Sequence, residues 1–318
     1  MTQRYGITIP FEGKTLQEHR DLFRQVADAG YTDLWSAEVD GLDGFTPLTL
    51  AAAWEPELHL GVAITPVYTR GPALLAMSIA AMAEAAPGRF TMGLGASSLP
   101  IVERWNGIPF DEPFKKTRDV LRFVTRALDG EKIDEEFATF TVKGFKLARP
   151  VTHRPPILLG ALRPGMLRLA GTEADGAILN WLSASDVPTC TEHVGAHKSI
   201  AARLFVIPTE DADTARFIGR RMISSYLTVP TYAEFHRWLG RGERLQPMWD
   251  AWAAGDRKAA NALIPDDVVD ELIIHGNYDQ CREHVQRYIE AGIQIPTLAV
   301  IPIGVDITEA IAGLAPRP

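Results

Sequence analysis

Cysteine is nearly absent from this chain: 318 residues carry two, Cys190 and Cys281. Two thiols make no disulfide framework, so a reducing compartment fits and a cytoplasmic protein is expected. Long apolar runs are missing too. Nothing approaches the roughly 20 consecutive apolar residues of a membrane span, and no membrane partner is expected. There is no Lys/Arg cluster, and 40 Asp+Glu against 32 Lys+Arg leave a net charge of −8. Nucleic acid, which demands a basic face, is not expected as a partner. The opening MTQRYGITIPF has no basic stretch followed by an apolar one, so no secretion signal is expected.

What is present is ordinary globular composition, 46% hydrophobic and 23% charged. The length suits two small domains or one large barrel. Short apolar runs at 5–9, 32–38, 58–64, 89–95, 156–160, 175–180, 201–207 and 296–302 read as strands. Amphipathic or apolar helical segments alternate with them, among them 15–31, 72–88, 114–131 and 279–293. Thr15 and Gly30 are placed to cap the first helix. Eight strands interleaved with helices predict an α/β fold, a (β/α)8 TIM barrel spanning 1–318 as one domain.

Two segments interrupt the alternation. Residues 137–150 alternate apolar and polar around Lys143-Gly144, which predicts a small hairpin within an insertion of about 131–152, before strand five. Residues 228–275 hold three tryptophans, much charge and no strand signal, and read as a helical insertion before strand eight.

A barrel places its chemistry at the C-terminal strand ends. That selects Glu38, Ile64-Thr65-Pro66, Gly95-Ala96-Ser97-Ser98, Gly160-Ala161 and Asn180-Trp181. The segment PILLGALRPGMLRLAG (156–171) is the most pointed of these. Pro164 falls near the first helical position, where a missing N–H costs little. Free N–H groups and the helix dipole favour an anion there, and Arg163 adds a cation. Gly160 and Gly165 read as places where a ligand approaches the backbone. The alternative is a tight turn with a solvated Arg163.

This segment, together with GYTDLWSAE (30–38), GVAITPVYTRGPALLA (61–76), GRFTMGLGASS (88–98) and WNG (105–107), resembles the bacterial luciferase-like superfamily. More narrowly it resembles the branch that uses the deazaflavin coenzyme F420. The resemblance covers most of the chain. It implies a bulge on strand three with a non-proline cis peptide behind the deazaflavin ring, at Ala63-Ile64 or at Val62-Ala63. It implies that Thr65 bonds the ring edge, that Ser97 and Ser98 lie near the ring or substrate, and that Asn180 lies near the cofactor tail. Gly160, Ala161, Leu162 and Arg163 map onto the phosphate turn. A homodimer or higher homo-oligomer is implied as well, and the apolar helix 72–86 is where a second subunit would pack.

The chain also departs from that pattern. Sugar-phosphate dehydrogenases of the branch carry Asp-His after strand two, where Glu38-Val39 stands here, and a glutamate where Ser98 stands. A sugar phosphate is therefore not the expected substrate. The Glu-His-His of luciferases proper is absent as well. The implied reaction is hydride transfer between deazaflavin and a small organic substrate, with the cofactor carrying the chemistry. Glu38 is the candidate catalytic acid or base; its alternative role is a hydrogen bond to the cofactor or a backbone amide. Trp35, Phe45, Trp105 and Trp181 are candidate pocket aromatics, although Trp35 fits the helix layer equally. Two other readings stay open: an FMN-dependent monooxygenase, and a non-catalytic flavin-binding protein with its pocket closed by Trp105 or Trp181. Cys190, His193 and His197 have metal-like spacing on a surface helix but no fourth ligand, and no metal is expected.

Overall fold

A computed structural model describes residues 3–317. The eight expected strands are all there: β1 (Gly6–Thr8), β2 (Asp33–Ser36), β3 (His59–Val62), β4 (Phe90–Gly95), β5 (Ile157–Gly160), β6 (Gly176–Asn180), β7 (Ser199–Ile207) and β8 (Ile295–Val300). β3 resumes after a kink as Thr65–Pro66, which pairs with β4. Each strand pairs in parallel with the next, β6 pairs with β7, and β8 returns to β1 through Gly6↔Thr297. The sheet is thus a closed (β/α)8 barrel.

Alternate strand residues face the barrel axis. On most strands the outward set is large and apolar and packs under the helices: Ile7, Leu34, Leu60, Met92, Leu159 and Leu179 belong to one core. The inward set is unlike it. Trp35 is 1% exposed and fills the barrel interior beside Leu158, Ile178, Ala201 and Ile295, which settles its orientation inward. It fits because β3 offers no side chain opposite: a Cβ on Gly61 would lie 2.4 Å from the Trp35 ring. Burying an indole of this size contributes about 4–6 kcal/mol. Its Nε1–H donates to Asp33 Oδ1 at 3.3 Å, and Arg4 Nε donates to Asp33 Oδ2 at 3.1 Å, closing the N-terminal end.

The helices are α1 (His19–Asp28), α2 (Thr46–Trp54), α3 (Pro72–Ala85), α4 (Pro113–Leu128), α5 (Pro164–Glu173), α6 (Val187–Val194) and α7 (Ala212–Leu227), then the insertion helices α8 (Pro230–Trp238), α9 (Gly242–Ala253), α10 (Arg257–Ala262) and α11 (Asp266–Leu272), and finally α12 (Tyr278–Glu290) and α13 (Ile307–Gly313). α1 begins four residues later than expected, because the Glu18 carboxylate folds back onto Thr15 N–H and Oγ1 and makes a turn there. α13 has no counterpart in the sequence reading. Asp306 caps it, and it packs on α1 with Gln25 Nε2 donating to Thr308 O at 2.9 Å.

Both insertions differ in detail from expectation. The hairpin strands are Ile133–Glu136 and Thr141–Phe145, so the turn is 137–140 rather than Lys143-Gly144. Gly144, at φ 67°, sits inside the second strand, across from a register shift between Ile133 and Glu135. The second insertion does contain a strand. Ile273–His275 pairs in parallel with Phe205–Ile207, the overhang of β7. β7 is nine residues long, and its outer end anchors the insertion.

Candidate active site

The mouth of the barrel is built from loops that the strand ends hold in place. The Ala63-Ile64 peptide is cis, as the first of the two implied positions had it. The Ile64 side chain lies across β4 and β5 where both lack a side chain. A Cβ on Gly95 would stand 2.9 Å from Ile64 Cδ1, and one on Gly160 3.2 Å from Ile64 Cγ2. These glycines therefore make room for Ile64. Gly95, Gly160 and Ile64 together form a ledge in the mouth. Thr65 follows it with its side chain fully buried and Oγ1 without a partner.

Glu38 sits beside it, at the start of the loop after β2. Its Oε1 accepts from Gly44 N–H at 3.0 Å and from Arg70 Nη2 at 2.8 Å, and neither bond uses Oε2. Its main-chain N–H donates to Ile64 O at 3.4 Å, joining this loop to the ledge. Arg70, from the YTRGP run, is itself held 4.7 Å above the Phe45 ring. The pairing of Glu38 with Arg70 spans 32 residues and left no trace in local sequence.

Ser97 and Ser98 follow β4, and Ser97 adopts φ 64°, a left-handed backbone that costs a non-glycine residue about 1 kcal/mol or more. Ser98 O accepts from Val102 N–H at 3.0 Å, starting a π-helical turn over Pro100–Trp105. The β5 turn leads into α5 as expected, with Arg163 extended at the N-cap and Pro164 first in the helix. Arg163 is exposed. Helix geometry leaves the Gly165 and Met166 N–H groups without intrahelical partners. Ala161 does not add a donor: its N–H is spent on Ile178 O at 3.1 Å, and its side chain is buried. Leu162, between them, packs partly against the core.

The far wall of the mouth comes from β6, β7, β8 and the insertion. Asn180 Nδ2 donates to Tyr232 OH at 3.1 Å, while Asn180 Oδ1 has no partner. Burial pushes the Tyr232 phenol up to about 12. A narrow cavity runs between Thr8, Trp35, Ser36, Ala37, Ala63 and Arg203, with Thr297 at its side. Thr8, Arg203, Tyr232 and Thr297 were not singled out from the sequence. Arg203 had a signal: a lone cation inside the apolar run AARLFVI.

Trp181 turns away from this cavity. At φ 55° it points into the insertion and stacks 4.2 Å from Phe205. Trp105 is 57% exposed on the π-helical turn. The metal-like triplet does not gather: Cys190 is buried, with burial pushing its thiol up to about 12, and His193 lies against Trp238. Among the described residues no three His, Cys, Asp or Glu side chains converge as a metal site.

The profile of the luciferase-like monooxygenase family matches residues 3–294. The chain belongs to that family. Within it, the chain is 26% identical over 320 residues to a protein of Mycobacterium tuberculosis provisionally named a coenzyme F420-dependent oxidoreductase, with 91% of each chain covered. It is 26% identical over 303 residues to the 5,10-methylenetetrahydromethanopterin reductase of Archaeoglobus fulgidus, with 89% of each covered. The solved F420-dependent tetrahydromethanopterin reductase of Methanopyrus kandleri superposes with a TM-score of 0.80 at 22% identity, covering 99% of this chain and 98% of that one. The family is one of oxidoreductases, and the barrel with its Ile64 ledge is this chain's version of the family fold.

Proposed function

We propose that this chain is an F420-dependent oxidoreductase that moves a hydride between the deazaflavin and a small organic substrate. The observation that carries the reading is the ledge. Ile64 is carried on Gly95 and Gly160, beside an orphaned Thr65 hydroxyl. A flat heteroaromatic ring edged with carbonyl and N–H groups fits such a floor. It would rest on Ile64, take a hydrogen bond from Thr65, and leave its other face toward Trp35 and Thr8. The α5 N-terminus with Arg163 and the nearby Leu162 would hold the cofactor phosphate. Asn180 would meet the tail, and Ser97 and Ser98 the ring or the substrate. The relatives named for F420 support the same choice of cofactor.

When bound, the deazaflavin supplies a two-electron hydride centre. The protein's own part is position, exclusion of water, and one acceptor carboxylate. Glu38, tied through Oε1 to Arg70 and Gly44, keeps Oε2 out of those bonds and is the proposed group that handles a proton at the substrate. A homodimer belongs to the same proposal, with the exposed Leu74 and Met77 of α3 buried against a second copy. Sedimentation of the wild type against Met77→Glu tests it, and a monomeric wild type removes it.

The deciding experiment is titration of the purified protein with F420 and with FMN. Tight binding of F420 alone, followed by hydride exchange without oxygen uptake, supports the proposal. Preference for FMN with oxygen consumption makes the chain a monooxygenase instead. Tight F420 binding with no hydride exchange on any substrate would favour the non-catalytic reading.

A further inference from the structure

The cations of this molecule are mostly spoken for, but Arg203 is not. It makes no ion pair and no hydrogen bond to any described residue, and its Nε is buried without a partner. Its guanidinium leans over the Phe205 ring, 5.0 Å from the centroid. Removing a charge from water without an opposite charge or a hydrogen bond is costly, so such a group is retained where a ligand completes it.

The surroundings are donors. Register places Arg203 directly beside Thr297 on β8 and Asn180 on β6, so all three side chains project from the same inner layer. Thr297 is 3% exposed, and its Oγ1 has no partner; Thr8 Oγ1, across the same cavity, has none either. Tyr232 accepts from Asn180, which leaves its own proton to give. One guanidinium and three hydroxyls converge with no carboxylate among them. That set is complementary to a compact oxyanion with two coplanar oxygens. It lies across the barrel from the α5 N-terminus proposed for the cofactor phosphate.

We propose that Arg203, with Thr8, Thr297 and Tyr232, forms a subsite that holds a carboxylate of the substrate, so that the chain acts on small organic acids. This rests on the hydride-transfer reading for its catalytic meaning, but not for the binding itself. Arg203 would fix the acid end against the β7–β8 wall and so present the neighbouring carbon over the ledge. An uncharged amide of the same shape would leave the guanidinium unmatched and bind worse.

The test compares crotonate and benzoate with crotonamide and benzamide. Binding is read by ligand-observed NMR in the cofactor-free protein and by deazaflavin fluorescence in the F420-loaded protein. The acids should bind at least tenfold tighter than the amides. Arg203→Met should bring the acids down to the level of the amides, with F420 affinity changed less than threefold; Arg203→Lys should restore part of the preference, and Thr297→Val should weaken acid binding a few-fold. Equal binding of acids and amides by the wild type, which needs no variant, overturns the proposal. So does an acid preference that survives in Arg203→Met, or a loss that falls on F420 rather than on the acids. If the wild type takes no F420 but keeps an Arg203-dependent acid preference, the cofactor reading fails and the subsite stands.

Discussion

Arg203 lies on β7 and Arg241 inside the insertion, between α8 and α9, and their surroundings could hardly differ more. Arg241, 4% exposed, is saturated: Nη1 donates to Asp186 at 3.0 Å, Nη2 to Ser183 Oγ at 2.8 Å, and Nε to Glu271 at 2.9 Å. It clamps the insertion to the β6 loop and to α11. Arg203 faces the barrel mouth and has none of this. Both are arginines in partly or fully dry surroundings, so residue type does not explain the contrast. One seam is finished within the chain, and the other has donors in excess. That is the signature of scaffold against site: a scaffold satisfies its polar groups internally, and a site leaves them for something that arrives.

The comparison breaks hardest at the clamp. Arg241→Met leaves Asp186 facing an apolar stump and should destabilise the protein by about 3–5 kcal/mol, read from denaturant unfolding. A loss below about 1 kcal/mol would mean that the seam is not what holds the insertion. Acid sharpens the same seam. His236 is fully buried behind it, and burial, with the Arg241 charge second, pulls its pKa down to about 3. The folded ring stays neutral while the unfolded one binds a proton below about pH 6.5. Unfolded chains then hold more protons, so stability is complete above about pH 6.5 and falls as the pH drops toward the folded value. The expected loss is about 2–3 kcal/mol between pH 6.5 and 4.5, and His236→Leu should flatten most of it. An unchanged acid slope in that variant would place the titration elsewhere, with His284, lowered to about 4 chiefly by burial, the next to test.

The ledge gives a smaller effect on stability and a clearer one on binding. Gly160→Ala puts a methyl against Ile64 Cγ2 and Gly95→Ala one against Cδ1, and each should cost about 1–2 kcal/mol through overpacking. Because Ile64 yields toward the mouth, F420 affinity should fall tenfold or more. Unchanged affinity in both would remove the ledge from the cofactor's floor.

The barrel was legible because its strands obey a simple rule: short apolar runs recur between helical segments, and outward positions such as Ile7, Leu60 and Met92 must be apolar to meet the helices. Ile273–His275 was not legible, since Ile273 and Ile274, directly after a helix, read as its last turn. The hairpin turn was misplaced because Lys143-Gly144 has turn chemistry, and Gly144 uses its positive φ inside a strand instead. At the site, the β5 turn and the placement of Glu38 came from residues that neighbour one another in sequence, and the cis bond from the family resemblance. Arg70 with Glu38, Tyr232 with Asn180, and Arg203 with Thr297 are made only when distant strands and the insertion meet. Strand alternation does predict that Arg203 points inward, once the eight strands are counted; what alternation cannot say is that nothing opposite neutralises it.

That last point yields the smallest expected effect, and the one that separates the two arginines most cleanly. Arg203→Met removes a cation that no described side chain compensates. It loses a cation–π contact worth about 0.5–1 kcal/mol, and it relieves the cost of holding a partly dry charge without a partner. The two oppose, so unfolding free energy should move by less than about 1 kcal/mol in either direction. Arg241→Met, the same change within the insertion, should cost several times more. If Arg203→Met proves as damaging as Arg241→Met, Arg203 has a structural partner in solution, and the contrast between finished seam and waiting site is lost. If it is neutral, the chain keeps Arg203 for a reason that folding does not supply, because residues free of structural duty are retained where function needs them.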